Sequence, residues 1–174
     1  MQNTAASRAA GFLAGTAPDH RNRWLSEILL WDNEHWDEAH DFIQWVFPNP
    51  GQNEMNPDAP TLVHADFRAL GSSAAAKAGV LRGWRRMLEF LGLSENRGKV
   101  VATDELATRA ETWLLFPTHN DLRLTRMLMC LSLFQLTEEA RSTSLALCTQ
   151  VKKHRSYAPE KVMSYWEQAA SVRG

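Results

Sequence analysis

The sequence predicts an all-α fold, a single compact multi-helix domain of about seven helices, and three observations carry that prediction. Apolar residues recur at spacings of three and four along most of the chain, the signature of helices with one buried face. No alternating apolar and polar stretch is long enough for a strand; residues 99–102 come nearest and are too short. Pro48, Pro117 and Pro159 fall at the ends of the periodic stretches, where helices stop or start. A chain of 174 residues matches one domain, and a core of that size needs no disulfide or metal to stand.

Residues 1–18 are mostly small and polar and read as a flexible N-terminal arm, with the helical domain spanning 19–174. The arm's Ala-Gly-Phe-Leu-Ala run is too short and too weakly flanked for a signal peptide. From Asp19 the pattern turns helical, and Trp24, Ile28 and Trp31 share one face. Asp32 is placed to cap a helix over 33–47. On that helix Trp36, Ala39, His40, Ile43, Val46 and Phe47 share a wide arc, with Trp45 nearly opposite, which predicts a central helix packed on two sides.

Pro48 stops that helix, and 48–60 form a long Pro/Asn-rich loop whose four prolines exclude regular structure. A short helix over 64–70 and a long one over 73–91 follow. In the long helix Val80, Leu81, Trp84, Met87, Leu88 and Leu91 face inward, while Arg82, Arg85, Arg86 and Glu89 lie opposite. Gly92 ends it, and 94–104 read as a polar connection. Further helices are expected over 106–116, over 118–136 with Thr118 as cap, over 137–153, and from Pro159 to about 170.

The helix after Pro117 carries the sharpest candidate site. Leucines and methionines cover nearly its whole circumference, which places it in the interior. Yet His119, Arg123 and Arg126 fall within about 60° of one another on the helical wheel, near its positive end. Burying two guanidinium groups costs several kcal/mol unless each meets an anion. Two readings stay open: pairing with carboxylates such as Asp37, Asp41, Glu89 or Glu111, or a stripe open to a ligand carboxylate or phosphate. His40 is a second candidate on its apolar arc, with Gln44 beside it; Trp45 fits packing better than recognition.

Other chemistries leave weak traces. Asp37-x-x-His40 is one ligand pair where a bundle metal site needs several, and His35 and His40 point to different faces. No zinc, phosphate-loop or nucleophile-elbow motif occurs, so no metal or cofactor is expected. The net charge of −1 argues against broad nucleic-acid binding. A basic set of Arg82, Arg85, Arg86, Lys152, Lys153, His154 and Arg155 is explained as well by solvated helix faces. Cys130 and Cys148 are too few for a disulfide framework, which fits a reduced, cytoplasmic setting. No run of 18 apolar residues is present, so no membrane-spanning helix is expected, although peripheral association is permitted.

Three segments, and a fourth between them, then resemble one family. His40-Asp41-Phe42-Ile43-Gln44-Trp45-Val46-Phe47-Pro48 is similar to the H-x-Y-I-Q-W-L-F-P segment of the opioid growth factor receptor conserved region. Asn56-Pro57-Asp58-Ala59-Pro60-Thr61-Leu62 resembles the N-x-x-A-P-x-L that follows it. His119-Asn120-Asp121-Leu122-Arg123-Leu124-Thr125-Arg126-Met127-Leu128 resembles H-N-x-L-R-I-T-R-I-L. Met87 to Leu93 matches M-L-x-F-Y-G-L/I, with Leu91 in place of the aromatic. The resemblance, to a compact microbial-type member, implies a non-enzymatic binding module with receptor-like activity toward a peptide or protein ligand. Animal members are described as receptors for enkephalin-type peptides. By resemblance, the ligand-binding residues are His40, Gln44, Trp45, His119, Asn120, Arg123 and Arg126. The alternatives are a hydrolase or transferase using His40 or His119 as base, and an electrostatic nucleic-acid binder.

Overall fold

Residues 4–52 and 56–172 are described by a computed structural model of the chain. The helical prediction holds: among the described residues there are ten helices and one two-stranded sheet. The described chain divides into two compact units, the first running to Trp84 and the second from Arg85 onward.

The first unit opens with α1 (Ala5–Ala14), where the sequence suggested a flexible arm. Thr4 caps its start by accepting the Ser7 N–H at 3.1 Å. Gly15 ends it at φ 73°, and the Thr16 N–H returns to the Gly11 carbonyl at 2.8 Å. Ala9, Phe12 and Leu13 sit at i, i+3 and i+4 and are buried, so this helix belongs to the core. Gly79 is what lets it dock: a Cβ there would lie 2.0 Å from the Leu13 carbonyl oxygen. The same carbonyl accepts from Arg82 at 3.4 Å.

Next come α2 (Leu25–Ile28), α3 (Asn33–Glu38) and α4 (Ile43–Val46). Asp32 caps α3 as expected, its carboxylate accepting the His35 N–H at 2.8 Å. The predicted single helix over 33–47 is not formed. Ala39 takes an extended conformation, φ −74° and ψ 130°, and the chain resumes helix only at Ile43. The loop after Pro48 is pinned at two places. Gly51 N–H donates to the Leu62 carbonyl at 2.9 Å, and the buried Asn56 amide donates to the Asp41 carbonyl at 2.5 Å. Then follow α5 (Asp66–Ser72) and α6 (Ala74–Phe90).

The second unit contains the sheet that the sequence reading dismissed. Strands β1 (Leu93–Asn96) and β2 (Lys99–Ala102) form an antiparallel hairpin, closed by Arg97 and Gly98 at φ 51° and 77°. Four residues per strand give too little alternation to be read from sequence. Beyond it lie α7 (Leu106–Trp113), α8 (Asn120–Leu133), α9 (Thr137–His154) and α10 (Pro159–Ala169), the last three packed mutually. Pro159 occupies the first turn of α10, as predicted. Contrary to expectation, α8 is not buried all round, since Leu122 is 76% exposed.

One ion pair locks this unit. Arg155, 4% exposed, grips both carboxylate oxygens of Asp121 at 2.9 Å and also donates to the carbonyls of Leu114 and Trp113. The Trp166 indole donates to the Asp121 carbonyl at 3.2 Å. The end of α9, the approach to α8 and the core of α10 therefore meet at one aspartate.

Two expectations follow for stability. Gly79→Ala should cost about 1–3 kcal/mol by overpacking, with loss of hydrogen-exchange protection concentrated in residues 5–14. Arg155→Ala should cost about 3–5 kcal/mol in urea unfolding, because Asp121 loses a buried partner.

Candidate functional site

Polar chemistry in the first unit centres on two aspartates. Asp19 is fully buried at its side chain and accepts the backbone N–H groups of Arg21 and Arg23 at 2.8 and 3.0 Å. Its other oxygen accepts Arg23 Nε at 2.7 Å. Arg23 reaches on to Asp41 Oδ1 at 3.0 Å, and Arg21 Nε lies 2.7 Å from Asp41 Oδ2. His20 Nε2 stands 3.7 Å from that same oxygen. Burial alone would raise the Asp41 carboxyl, but the hydrogen bond and charge of Arg23, and the charge of Arg21, hold it below its ordinary value. Burial likewise works against the Arg23 cation, and Asp19 and Asp41 outweigh it.

This network explains the break between α3 and α4. An unbroken helix would carry Asp41 on the helical surface, whereas the extended turn at Ala39 belongs to a backbone that brings it to Arg21 and Arg23. The sequence residues of this region land accordingly. His40 is exposed, off the helical arc predicted for it, and its carbonyl accepts the Gln44 amide at 3.3 Å. Gln44 is buried, its Oε1 3.5 Å from Asn56 Nδ2. Trp45 is 2% exposed, with Phe12 edge-on at 5.4 Å, His20 stacked at 5.9 Å and the Arg8 guanidinium 5.2 Å from its ring centre. Sequence reasoning missed Asp19 and Arg23, whose pairing is made by a turn between α1 and α2 and not on a helix face.

In the second unit the start of α8 gathers the other predicted residues. Thr118 is the local organiser: its hydroxyl donates to the Thr112 carbonyl at 3.0 Å and accepts the Asn120 N–H at 3.2 Å. His119 stands exposed at the cap position. Asn120 is fully buried; its amide donates to the Thr112 carbonyl at 3.1 Å, and its Oδ1 accepts Arg123 Nη1 at 3.4 Å. Arg123 is 5% exposed, so its cation lies inside the protein. Arg126, one turn on, is half-buried, and burial pulls its guanidinium below the ordinary value. The Cys130 thiol beside it is pushed well up by burial, and Cys148 is pushed up by the same cause.

His119, Asn120, Arg123 and Arg126 thus occupy the cap and first two turns of one helix, whose dipole favours negative charge although its first N–H groups are bonded to Thr118 and His119. His40, Gln44 and Trp45 belong to the first unit. Of the carboxylates considered as partners for the α8 arginines, Asp41 is held by Arg21 and Arg23. The basic set considered for nucleic acid loses Arg86 and Arg155, both buried. Among the described residues no three His, Cys, Asp or Glu side chains gather as metal ligands, and no helix is long and apolar enough to cross a membrane.

Comparison with known proteins gives two findings. The family profile described as the opioid growth factor receptor conserved region matches residues 21–173. The opioid growth factor receptor of Mus musculus is 33% identical over 119 residues, covering 63% of this chain and 18% of that relative. The chain therefore corresponds to a minor part of the relative's length. No solved structure matches it.

The Asp41 network predicts a defined pH dependence. Asp41→Asn should cost on the order of 3 kcal/mol at pH 7. Because the folded carboxyl titrates below its ordinary 3.8, its stabilisation is present above that value and lost as pH falls through the lower, folded one. Urea unfolding at a series of pH values should give a constant gap between wild type and variant near neutrality, closing in strong acid. A gap that persists unchanged into strong acid would remove Asp41 as its source.

Proposed function

We propose that this chain, which belongs to the opioid growth factor receptor conserved-region family, is a non-enzymatic binding module that holds a peptide or protein ligand by a carboxylate. The receptor named among its relatives suggests a peptide ligand; receptor activity in this chain is part of the proposal. The single observation supporting the reading is Arg123, a guanidinium 5% exposed at the start of α8 and braced by the Asn120 amide oxygen. Arg126 and His119 extend the same stripe. A forked guanidinium beside a helix N-terminus suits a carboxylate doubly, by two parallel hydrogen bonds and by the helix dipole.

Gln44 and Trp45 enter the proposal as supports of the first unit's core, and His40 as an exposed residue of that unit. The cysteines disfavour catalysis by a thiol nucleophile. Both are free and buried, with burial holding each thiol protonated, the opposite of an activated nucleophile. Free buried thiols also suit a reducing compartment, and a cytoplasmic setting is proposed on that ground.

The test compares an enkephalin-type pentapeptide bearing a free C-terminal carboxylate with its C-terminal amide, by calorimetry. The acid is expected to bind at least about tenfold more tightly, and Arg126→Gln should weaken it by about 10–100-fold while leaving the amide unaffected. Equal affinity for acid and amide, or full acid binding by a folded Arg126→Gln protein, would exclude the carboxylate site.

A further inference from the structure

Helix α9 has two faces, and the proposed carboxylate site uses neither. One face, with Ala140, Ser144, Leu147, Cys148 and Val151, is buried. A second stripe recurs every three or four residues from Glu138 to His154 and borders two hollows within the second unit. The first, about 640 Å³, lies between α9 and β2; the second, about 510 Å³, lies between α9 and α7. Ala102 and Gln150 line both, so the hollows meet there. Each volume is in the range of ligand-binding clefts.

Three features describe what would fit. Large aliphatic side chains stand open to solvent in the first hollow: Leu145 is 71% exposed and Val101 38%. Main-chain groups are also on offer. Thr103 N–H bonds back to Gly92, and Val100 N–H turns away to the Ser142 hydroxyl at 2.7 Å. Antiparallel alternation therefore turns the N–H and C=O of Ala102 away from β1 as well. The charge is uneven, with Lys99 and Arg141 against the single carboxylate of Glu138 at the hairpin end, and Lys153 and His154 against Asp104 at the other. Lys99, Arg141 and Lys153 form no ion pair among the described residues.

From these we infer that the groove along α9 is a docking surface for an extended segment of a partner protein, with an acidic residue at the Lys99–Arg141 end followed by aliphatic side chains over Val101 and Leu145. An extended segment is the occupant because Ala102 offers strand-edge hydrogen bonds, which a helix, satisfied internally, would leave unused. Arg141 and Lys153 are twelve positions apart on α9, about 18 Å of helix, which five or six extended residues span.

The experiment uses fluorescence anisotropy with a labelled hexapeptide, Glu-Val-Thr-Val-Thr-Val, capped at its C-terminus so that it carries no terminal carboxylate, and a Lys-for-Glu version. Saturable binding of the Glu peptide is expected. Arg141→Glu should weaken it about tenfold and reverse the preference toward the Lys peptide. Leu145→Asp should abolish both, with melting temperatures unchanged because both side chains are exposed. Arg126→Gln, which tests the carboxylate site, should alter neither. The inference is overturned by absence of saturable binding, by Arg141→Glu affecting the two peptides alike, or by Arg126→Gln abolishing binding. A dimer in sedimentation that Leu145→Asp dissolves would overturn it too, assigning the groove to a second copy of the chain.

Discussion

An arginine drawn into a protein interior is stabilised most where a carboxylate meets it, and each unit of this protein has such a meeting. The cost of removing a guanidinium from water is several kcal/mol, recovered only when geometry allows paired, charge-assisted hydrogen bonds. In the first unit Arg23 lies between Asp19 and Asp41. In the second Arg155 takes both oxygens of Asp121 and two backbone carbonyls, so its donors are directed to fixed acceptors.

These pairs shape the backbone as well as stabilise it. Asp41 stands just past the extended turn at Ala39, and that turn converts one predicted helix into α3 and α4. The consequence reaches Gln44 and Trp45, which pack beneath residues that a helical wheel would never have placed beside them: Asn56 from the loop, and Arg8, Phe12 and His20 from the chain before α2. Asp121 acts similarly on α8. Its carboxylate is used by Arg155, its carbonyl by Trp166, and the first turn is fixed from two sides. Asn120 and Arg123 inherit that fixed position.

Kinship and physics contribute different things to function. The family profile spans most of the chain, whereas the mouse relative is matched over a small share of its own length. The relationship therefore identifies a domain, and the choice of ligand has to come from side chains. The carboxylate reading draws on a helix N-terminus with one buried and one half-buried guanidinium; the groove along α9 draws on exposed aliphatics, a strand edge and lysine and arginine side chains that form no ion pair among the described residues. The two proposals differ in chemistry, so a test of one leaves the other standing.

The helical class, most helix ends and the burial of Arg123 were legible in the sequence by itself, because periodicity, caps and prolines act within a few residues. Asp32 as a cap, Pro159 at a first turn, and cations on an apolar stripe are such local facts. Helix α1 was also within reach, through Thr4, Gly15 and the Ala9-Phe12-Leu13 spacing, but three inward residues are a weak signal beside the small residues around them. What only the tertiary structure decided was pairing across distance. Nothing local joins Arg155 to Asp121 across 34 positions, or turns Asp41 toward Arg23 at the expense of a helix. A buried charge is answered by whichever partner the fold brings within 3 Å, and sequence spacing carries no information about that distance.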